Sequence, residues 1–300
     1  MPAPRNALTV DVEDYFQVGA FASTIPVSDW ESWPSRVERN SDRLLELFEQ
    51  HEAKATFFVL GWIAERFPHV VRRIAEAGHE VASHGYSHQL VYKQTPDVFR
   101  QETRQSKDIL EDLLGQAVTG YRAASYSITP RSRWALDILV ELGFTWDSSL
   151  FPIRHDVYGM PNIPTVPYRL QTDNGGSLIE FPLTTFAVAG QKVPVAGGGY
   201  FRLFPYQLTE FCLSRLNKAG QPFIFYLHPW EIDPGQPRVP GLSMKSRFRH
   251  YNNLSRCEAR LERLLAKFPF APVTEVLVDL DLDPAADAPS GSAIPLPAPA

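Results

Sequence analysis

The feature that most constrains this chain is an alternation. Short apolar runs are each followed by an amphipathic stretch, and polar residues gather where the apolar runs stop. The runs at 7–11, 55–60, 79–83, 119–126, 144–149 and 222–228 read as buried strands. The stretches at 41–51, 62–77 (broken at Pro68), 97–114, 132–142, 206–219 and 253–268 read as helices. Gly78, Gly115 and Gly143 stand where three of these helices stop. Strand and helix in strict turn predict a parallel α/β sheet or barrel, with its site at the carboxyl ends of the strands. A last strand is expected within 272–280.

Two regions break the rhythm. Residues 150–205 are rich in proline, glycine and aromatics, and predict an elaborated loop over the barrel mouth. Within it a strand is expected at 178–182, and Gly197-Gly-Gly-Tyr200 reads as a flexible turn. Beyond Asp281 the chain is Pro, Ala, Ser and Asp with little to bury, so 281–300 is expected to be a disordered tail. The rest, 1–280, reads as one catalytic domain with a C-terminal extension from about residue 235.

Composition narrows the function. A net charge of −5 argues against nucleic acid as a partner, because phosphate binding needs clustered cations. No apolar run is long enough for an integral membrane segment, and the N-terminal residues lack an export pattern, which points to a cytoplasmic enzyme. The two cysteines, Cys212 and Cys257, have no metal-type spacing and read as buried thiols.

The polar residues at the strand ends carry the chemistry. After 79–83 come His84 and His88. One helical turn over 85–88 would bring both imidazoles to one side, within reach of one cation, although two histidines on a surface loop would show the same spacing. The first strand ends in Asp11, Glu13 and Asp14, a cluster that a surface turn tolerates and that burial tolerates only beside a cation or an arginine. The most apolar strand runs into His228-Pro-Trp-Glu231. A histidine there suits either a functional role or a satisfied core position.

Taken in order, Thr9-Val-Asp-Val-Glu-Asp14, Ser83-His-Gly-Tyr-Ser-His88, Gly120-Tyr-Arg-Ala-Ala-Ser-Tyr126, Asp147-Ser-Ser149 and Tyr226-Leu-His228 resemble the motifs of the polysaccharide deacetylases, the NodB-homology carbohydrate esterases. The segment Arg247-Phe-Arg-His-Tyr251 and the opening Val10–Gln17 resemble the members associated with exopolysaccharide and exosortase (PEP-CTERM) loci. The resemblance implies a distorted (β/α) barrel of about seven strands. It implies removal of N-acetyl groups from a carbohydrate, with a divalent metal, zinc first among them, on two histidines and one carboxylate. Such a metal leaves open positions for water and the acetyl oxygen.

Residue by residue, His84 and His88 match the metal histidines, Asp11 the catalytic base and His228 the general acid. Arg122 matches the arginine that pairs with the base. Asp147 matches the aspartate that holds the acid histidine in its working tautomer. Trp146, Tyr126 and Trp230 are candidates to wall a sugar groove, or core. Two departures stand out. Where the family commonly has two adjacent aspartates, Val12 follows Asp11, which leaves Glu13 and Asp14 as alternative metal ligands. Strand alternation favours Glu13, whereas a turn starting at Glu13 would deliver Asp14. The arginine motif has Ala123-Ala124 without the usual proline, which predicts a looser loop. Altered first motifs also occur in relatives that cleave cyclic imides or allantoin. A further alternative is an inactive domain that only binds sugar.

Overall fold

The computed structural model describes residues 3–155, 158–286 and 293–297. Its twelve strands are β1 (Asn6–Val12), β2 (Thr56–Val59), β3 (Glu80–Ser83), β4 (Gly120–Tyr121), β5 (Trp146–Asp147), β6 (Tyr168–Gln171), β7 (Ser177–Glu180), β8 (Thr185–Val188), β9 (Gln191–Pro194), β10 (Ile224–Leu227), β11 (Phe270–Ala271) and β12 (Ile294–Pro295). The main sheet runs β10-β1-β2-β3-β4-β5-β7-β6-β12, with β11 also on β1. From β10 to β7 every pairing is parallel, and β6 returns antiparallel on β7. These seven parallel strands form the distorted barrel that the resemblance implies.

Beside five short 3-10 helices, ten α-helices lie in the described chain. They are α1 (Val37–Gln50), α2 (Gly61–Arg66), α3 (Pro68–Glu76), α4 (Pro96–Leu114), α5 (Trp134–Glu141), α6 (Gly198–Leu203), α7 (Tyr206–Lys218), α8 (Met244–Tyr251), α9 (Leu254–Lys267) and α10 (Val273–Asp279).

Strand alternation divides the core in two. Leu8, Val10 and Val12 of β1 join Phe57, Val59, Phe225 and Leu227 in the layer shared with the helices. Ala7 joins Phe58, Ala82, Trp146, Ile224 and Tyr226 inside the barrel. Because side chains point to opposite faces at successive positions, Thr9 and Asp11 follow Ala7 to the interior. The pattern that packs the strand therefore also delivers a carboxylate to the barrel mouth.

The barrel does not close by a direct β7–β10 ladder. Its seam is covered by the segment after β7, where Ile224 N donates to Thr184 Oγ1 and Tyr226 N to Ala196 O. Gly197 makes this possible, with φ 135° and the position of a Cβ only 2.1 Å from Tyr226 O. The run expected to be a flexible turn is thus a close backbone approach followed by α6. Glycine is the residue that both settings permit, so composition alone could not separate them.

Two further expectations change. Residues 272–280 form α10 rather than a strand, with Pro272 at its N-cap and Val273, Val276 and Leu277 buried at helical spacing. Their β-branched content suits a strand, but the i, i+3, i+4 burial decides for helix. In the supposed tail, Ile294–Pro295 pairs parallel with Leu170–Gln171, Leu296 is buried, and Arg133 donates to Pro297 O. The remaining tail positions, 287–292 and 298–300, lie outside the described residues.

Candidate active site

The site lies at the carboxyl ends of β1, β3, β4 and β10, which bring Asp11 and Glu13, His84 and His88, Arg122, and His228 together. Glu13, His84 and His88 each present a ligand atom within 4.8 Å of the others. Among the described residues this is the one such group of three or more. The two rings converge without the expected helical turn. Their centroids stand 5.4 Å apart across an irregular bend in which Gly85 has φ 74° and His88 φ 53°.

The donor set fits a divalent cation. His84 Nδ1 donates to the carbonyl of Arg122 at 2.8 Å, which leaves the Nε2 lone pair to face the site. Glu13 Oε2 is buried and lies 2.9 Å from His88 Nε2, yet accepts no hydrogen bond of proper geometry. A buried carboxylate oxygen without a donor, between two imidazoles, is the arrangement a cation would satisfy. Burial pushes the Glu13 carboxyl up, but the neighbouring His88 and His228 outweigh it and hold its pKa at about 2.

Asp14, the alternative ligand, faces away. Its Oδ2 accepts from Ser35 Oγ, Arg36 N and Val37 N at 2.7, 2.7 and 3.0 Å, and its Oδ1 accepts from Tyr15 N. It caps the start of α1, which has no side-chain cap of its own. That long-range cap also explains why α1 begins at Val37, ahead of the Ser41 start read from sequence.

Asp11 is paired with the fully buried Arg122, whose Nη1 donates to Asp11 Oδ1 at 2.7 Å and to Thr9 Oγ1 at 2.8 Å. Ser148 holds the other side of the guanidinium through its carbonyl and hydroxyl, and the Phe58 ring lies 4.0 Å beneath it. The loop after Arg122 is pinned without a proline, because Ala123 N donates to Ser149 Oγ. Asp11 Oδ2 stays open to the cavity, 3.9 Å from His228 Nε2.

His228 does not meet Asp147. Its Nδ1 lies 2.6 Å from Glu231 Oε1, three residues on, across the single turn that Pro229 starts. Asp147 instead accepts from Ser149 Oγ and faces Glu180 inside the barrel. Burial pushes the carboxyls of both Asp147 and Glu180 up, Asp147 to about 6, and each keeps one oxygen without a partner. Two buried carboxylates side by side resist ionising together, which favours a proton held on this pair. For His228, burial pushes the pKa down, but Glu13, Glu231 and Asp11 outweigh it and raise it to about 9.

Sequence reasoning passed over Glu231 and its support. Glu231 Oε2 accepts from Arg202 Nε at 2.6 Å, and both side chains are buried. Trp230 stacks on His228 at 5.1 Å on one face and on His250 at 4.2 Å on the other. The spacing His228-Pro-Trp-Glu231 was a local signal, a carboxylate one turn past a strand-end histidine. Arg202 lies 29 positions from Glu231, and no local signal joins them.

Asp11, Glu13, His84, His88 and His228 floor a cavity of about 490 Å3. Tyr126, Tyr158, Tyr200, Tyr226 and Trp230 supply aromatic wall, and Arg249 stands at the rim. Aromatic faces of this kind suit the apolar faces of sugar rings. Trp146 is not among them: it lies fully buried under Gly120, where any Cβ would strike its ring. Cys212 and Cys257 are free, buried thiols.

The fold is that of a NodB-type (β/α) barrel. Residues 29–145 match the family model described as polysaccharide deacetylase, and residues 148–278 match a domain of unknown function (DUF3473). Residues 29–145 thus carry the polysaccharide deacetylase match, and the chain resembles that family over this segment. His228 and Glu231 lie in the second matched segment, whose strands flank those of the first in one sheet.

Among curated proteins, the chain is 33% identical over 145 residues to a peptidoglycan deacetylase of Helicobacter pylori, covering 47% of this chain and 44% of that one. It is 43% identical over 75 residues to a peptidoglycan-N-acetylglucosamine deacetylase of Bacillus cereus, 25% of this chain and 27% of that one. The chain thus spans less than half the length of these relatives. In fold it is similar to a solved putative polysaccharide deacetylase from Mycobacterium smegmatis (TM-score 0.61, 20% identity, 97% of this chain and 96% of that one). It is also similar to a solved allantoinase (TM-score 0.59, 17% identity, 92% and 90%). No helix among the described residues is long and apolar enough to cross a membrane.

Proposed function

We propose that the protein is a metal-dependent hydrolase that removes N-acetyl groups from a carbohydrate, an exopolysaccharide or its precursor. One observation carries this reading. The three-residue donor set shares the floor of one aromatic-walled cavity with an arginine-held carboxylate and a carboxylate-held histidine.

Glu13, His84 and His88 would hold the cation, zinc first among the candidates. When bound it would polarise the acetyl carbonyl and lower the pKa of water there. The remaining work falls to this chain's own groups. Asp11 Oδ2 takes the proton of the attacking water, and Arg122 fixes the carboxylate through Oδ1 so that Oδ2 keeps its aim. The water oxygen bonds to the acyl carbon, the carbon–nitrogen bond breaks, and acetate departs. His228 Nε2, 3.9 Å from Asp11 Oδ2 and 3.4 Å from Glu13 Oε1, gives its proton to the leaving amine.

The test is acetate release from N-acetylated oligosaccharides by protein stripped of metal and then restored with zinc, with allantoin run beside them. Acetate release that needs the metal and is lost in His84→Ala supports the reading. Turnover of allantoin alone would replace it with the cyclic-amide reading. Saccharide binding without acetate release would mean an inactive sugar-binding domain.

A further inference from the structure

Resting on that reading, we infer that Glu231, locked by Arg202, is the positioning residue that sets His228 for proton donation. The structure places it in the role that the resemblance implies for Asp147. Glu231 Oε1 faces His228 Nδ1 at 2.6 Å and also accepts the backbone N–H of His228 at 3.2 Å. Its other oxygen takes Arg202 Nε at 2.6 Å. Arg202 cannot turn aside, because Nη1 donates to the carbonyls of residues 250 and 252, and Nη2 to that of residue 249. The carboxylate is thus held at both oxygens by donors on different elements.

The consequence for the proton is specific. An arginine nitrogen only donates, so it must face an acceptor oxygen. With Glu231 ionised, Oε1 remains an acceptor and keeps the proton on His228 Nδ1, which leaves Nε2 to face the cavity in either charge state. The neighbouring rings hold the same geometry. Trp230 lies between His228 and His250. His250 Nε2 is fixed 2.6 Å from Gln236 Oε1, since the Gln236 amide nitrogen already donates to the carbonyls of Trp230 and Asp233.

Glu231→Gln reverses this logic with almost no change of volume. Arg202 Nε, a charged donor at 2.6 Å, claims the new amide oxygen over the neutral backbone N–H of His228 at 3.2 Å, which turns the NH2 group toward His228 Nδ1. The neutral ring must then accept at Nδ1 and carry its proton on Nε2, and the protonated ring faces a second donor.

Two readouts test the proposal. By 15N NMR of the metal-free protein, with the ring neutral, the parent should show His228 protonated at Nδ1 and Glu231→Gln at Nε2. With zinc restored, kcat on an N-acetylated oligosaccharide should fall by about 100-fold or more, the usual contribution of a general acid. KM should stay within about threefold, and so should turnover of p-nitrophenyl acetate, whose leaving group needs no proton. Glu231→Asp, which keeps the charge, should recover part of the lost kcat. An unchanged tautomer in Glu231→Gln, or amide and ester activities that fall together, would overturn the assignment. A parent that shows the Nδ1 tautomer but releases no acetate would leave the tautomer control standing and sink the deacetylase reading instead. Should Glu231→Gln not fold, Arg202→Lys is measured in its place; retention of full kcat with an unchanged tautomer would overturn the arginine lock.

Discussion

Substituting Glu13 and Asp14 one at a time, as Glu13→Gln and Asp14→Asn, should split two functions that lie side by side in sequence. Asp14 receives four hydrogen bonds, three of them on one oxygen. An asparagine offers a single acceptor oxygen, so its NH2 group must meet at least one of those donors. The bonds that remain become neutral ones, worth about 1 kcal/mol each where bonds to a charged group are worth about 1.5–3 kcal/mol. Allowing for the burial that already pushes this carboxyl up, Asp14→Asn should cost about 2–4 kcal/mol through loosening of the α1 start. In urea that is a midpoint lower by about 1 M. Glu13→Gln removes an anionic ligand, and zinc affinity should fall by more than about 100-fold, beyond what loss of an outer partner costs. Its metal-free unfolding midpoint should move less than that of Asp14→Asn. Calorimetric zinc titration and urea unfolding of both variants read the two quantities separately. Loss of zinc in Asp14→Asn with an unchanged midpoint, or zinc retained at parental affinity in Glu13→Gln, would refute the assignment of roles.

Two further outcomes follow from the barrel interior. The Asp147–Glu180 pair holds its proton more tightly folded than unfolded, so its contribution is fully present below about pH 4 and is lost as pH rises through about 6 and beyond. Asp147→Asn should flatten the fall in stability over that window, read from urea midpoints at several pH values, while kcat drops far less than in Glu231→Gln; an unaltered pH slope would mean that the pair does not share a proton. Gly197→Ala places a Cβ against Tyr226 O at a φ of 135°. Backbone strain and overpacking together should cost roughly 2–6 kcal/mol, and a variant with the parental unfolding midpoint would show that the seam is not held by this close approach.

Short-range periodicity in the sequence predicted a parallel α/β sheet or barrel with polar residues at its strand ends, and the motif resemblance chose the barrel. A parallel strand buried on both faces is a short apolar run, and its last residues must emerge at one end of the sheet. Asp11, His84 and His228 were therefore legible as strand-end residues before any distance was known, whereas Arg122 stood out only through the motif resemblance. His84 and His88 were legible as a pair, although the bend that joins them was not. Tertiary structure decided whatever depends on partners distant in the chain. Local alternation and a turn gave Glu13 and Asp14 equal standing. The choice came from residues 35–37, whose free donors draw Asp14 away to cap a helix. Asp147 lies on a strand whose neighbour, Glu180, is reached only through sheet pairing. His228 takes its carboxylate from its own turn, and that carboxylate is held by Arg202 from α6. Hydrogen-bond donors and charges act over a few ångströms in space with no regard to sequence separation. Periodicity can place such a group at the mouth of the barrel, but only the packed fold selects its partner.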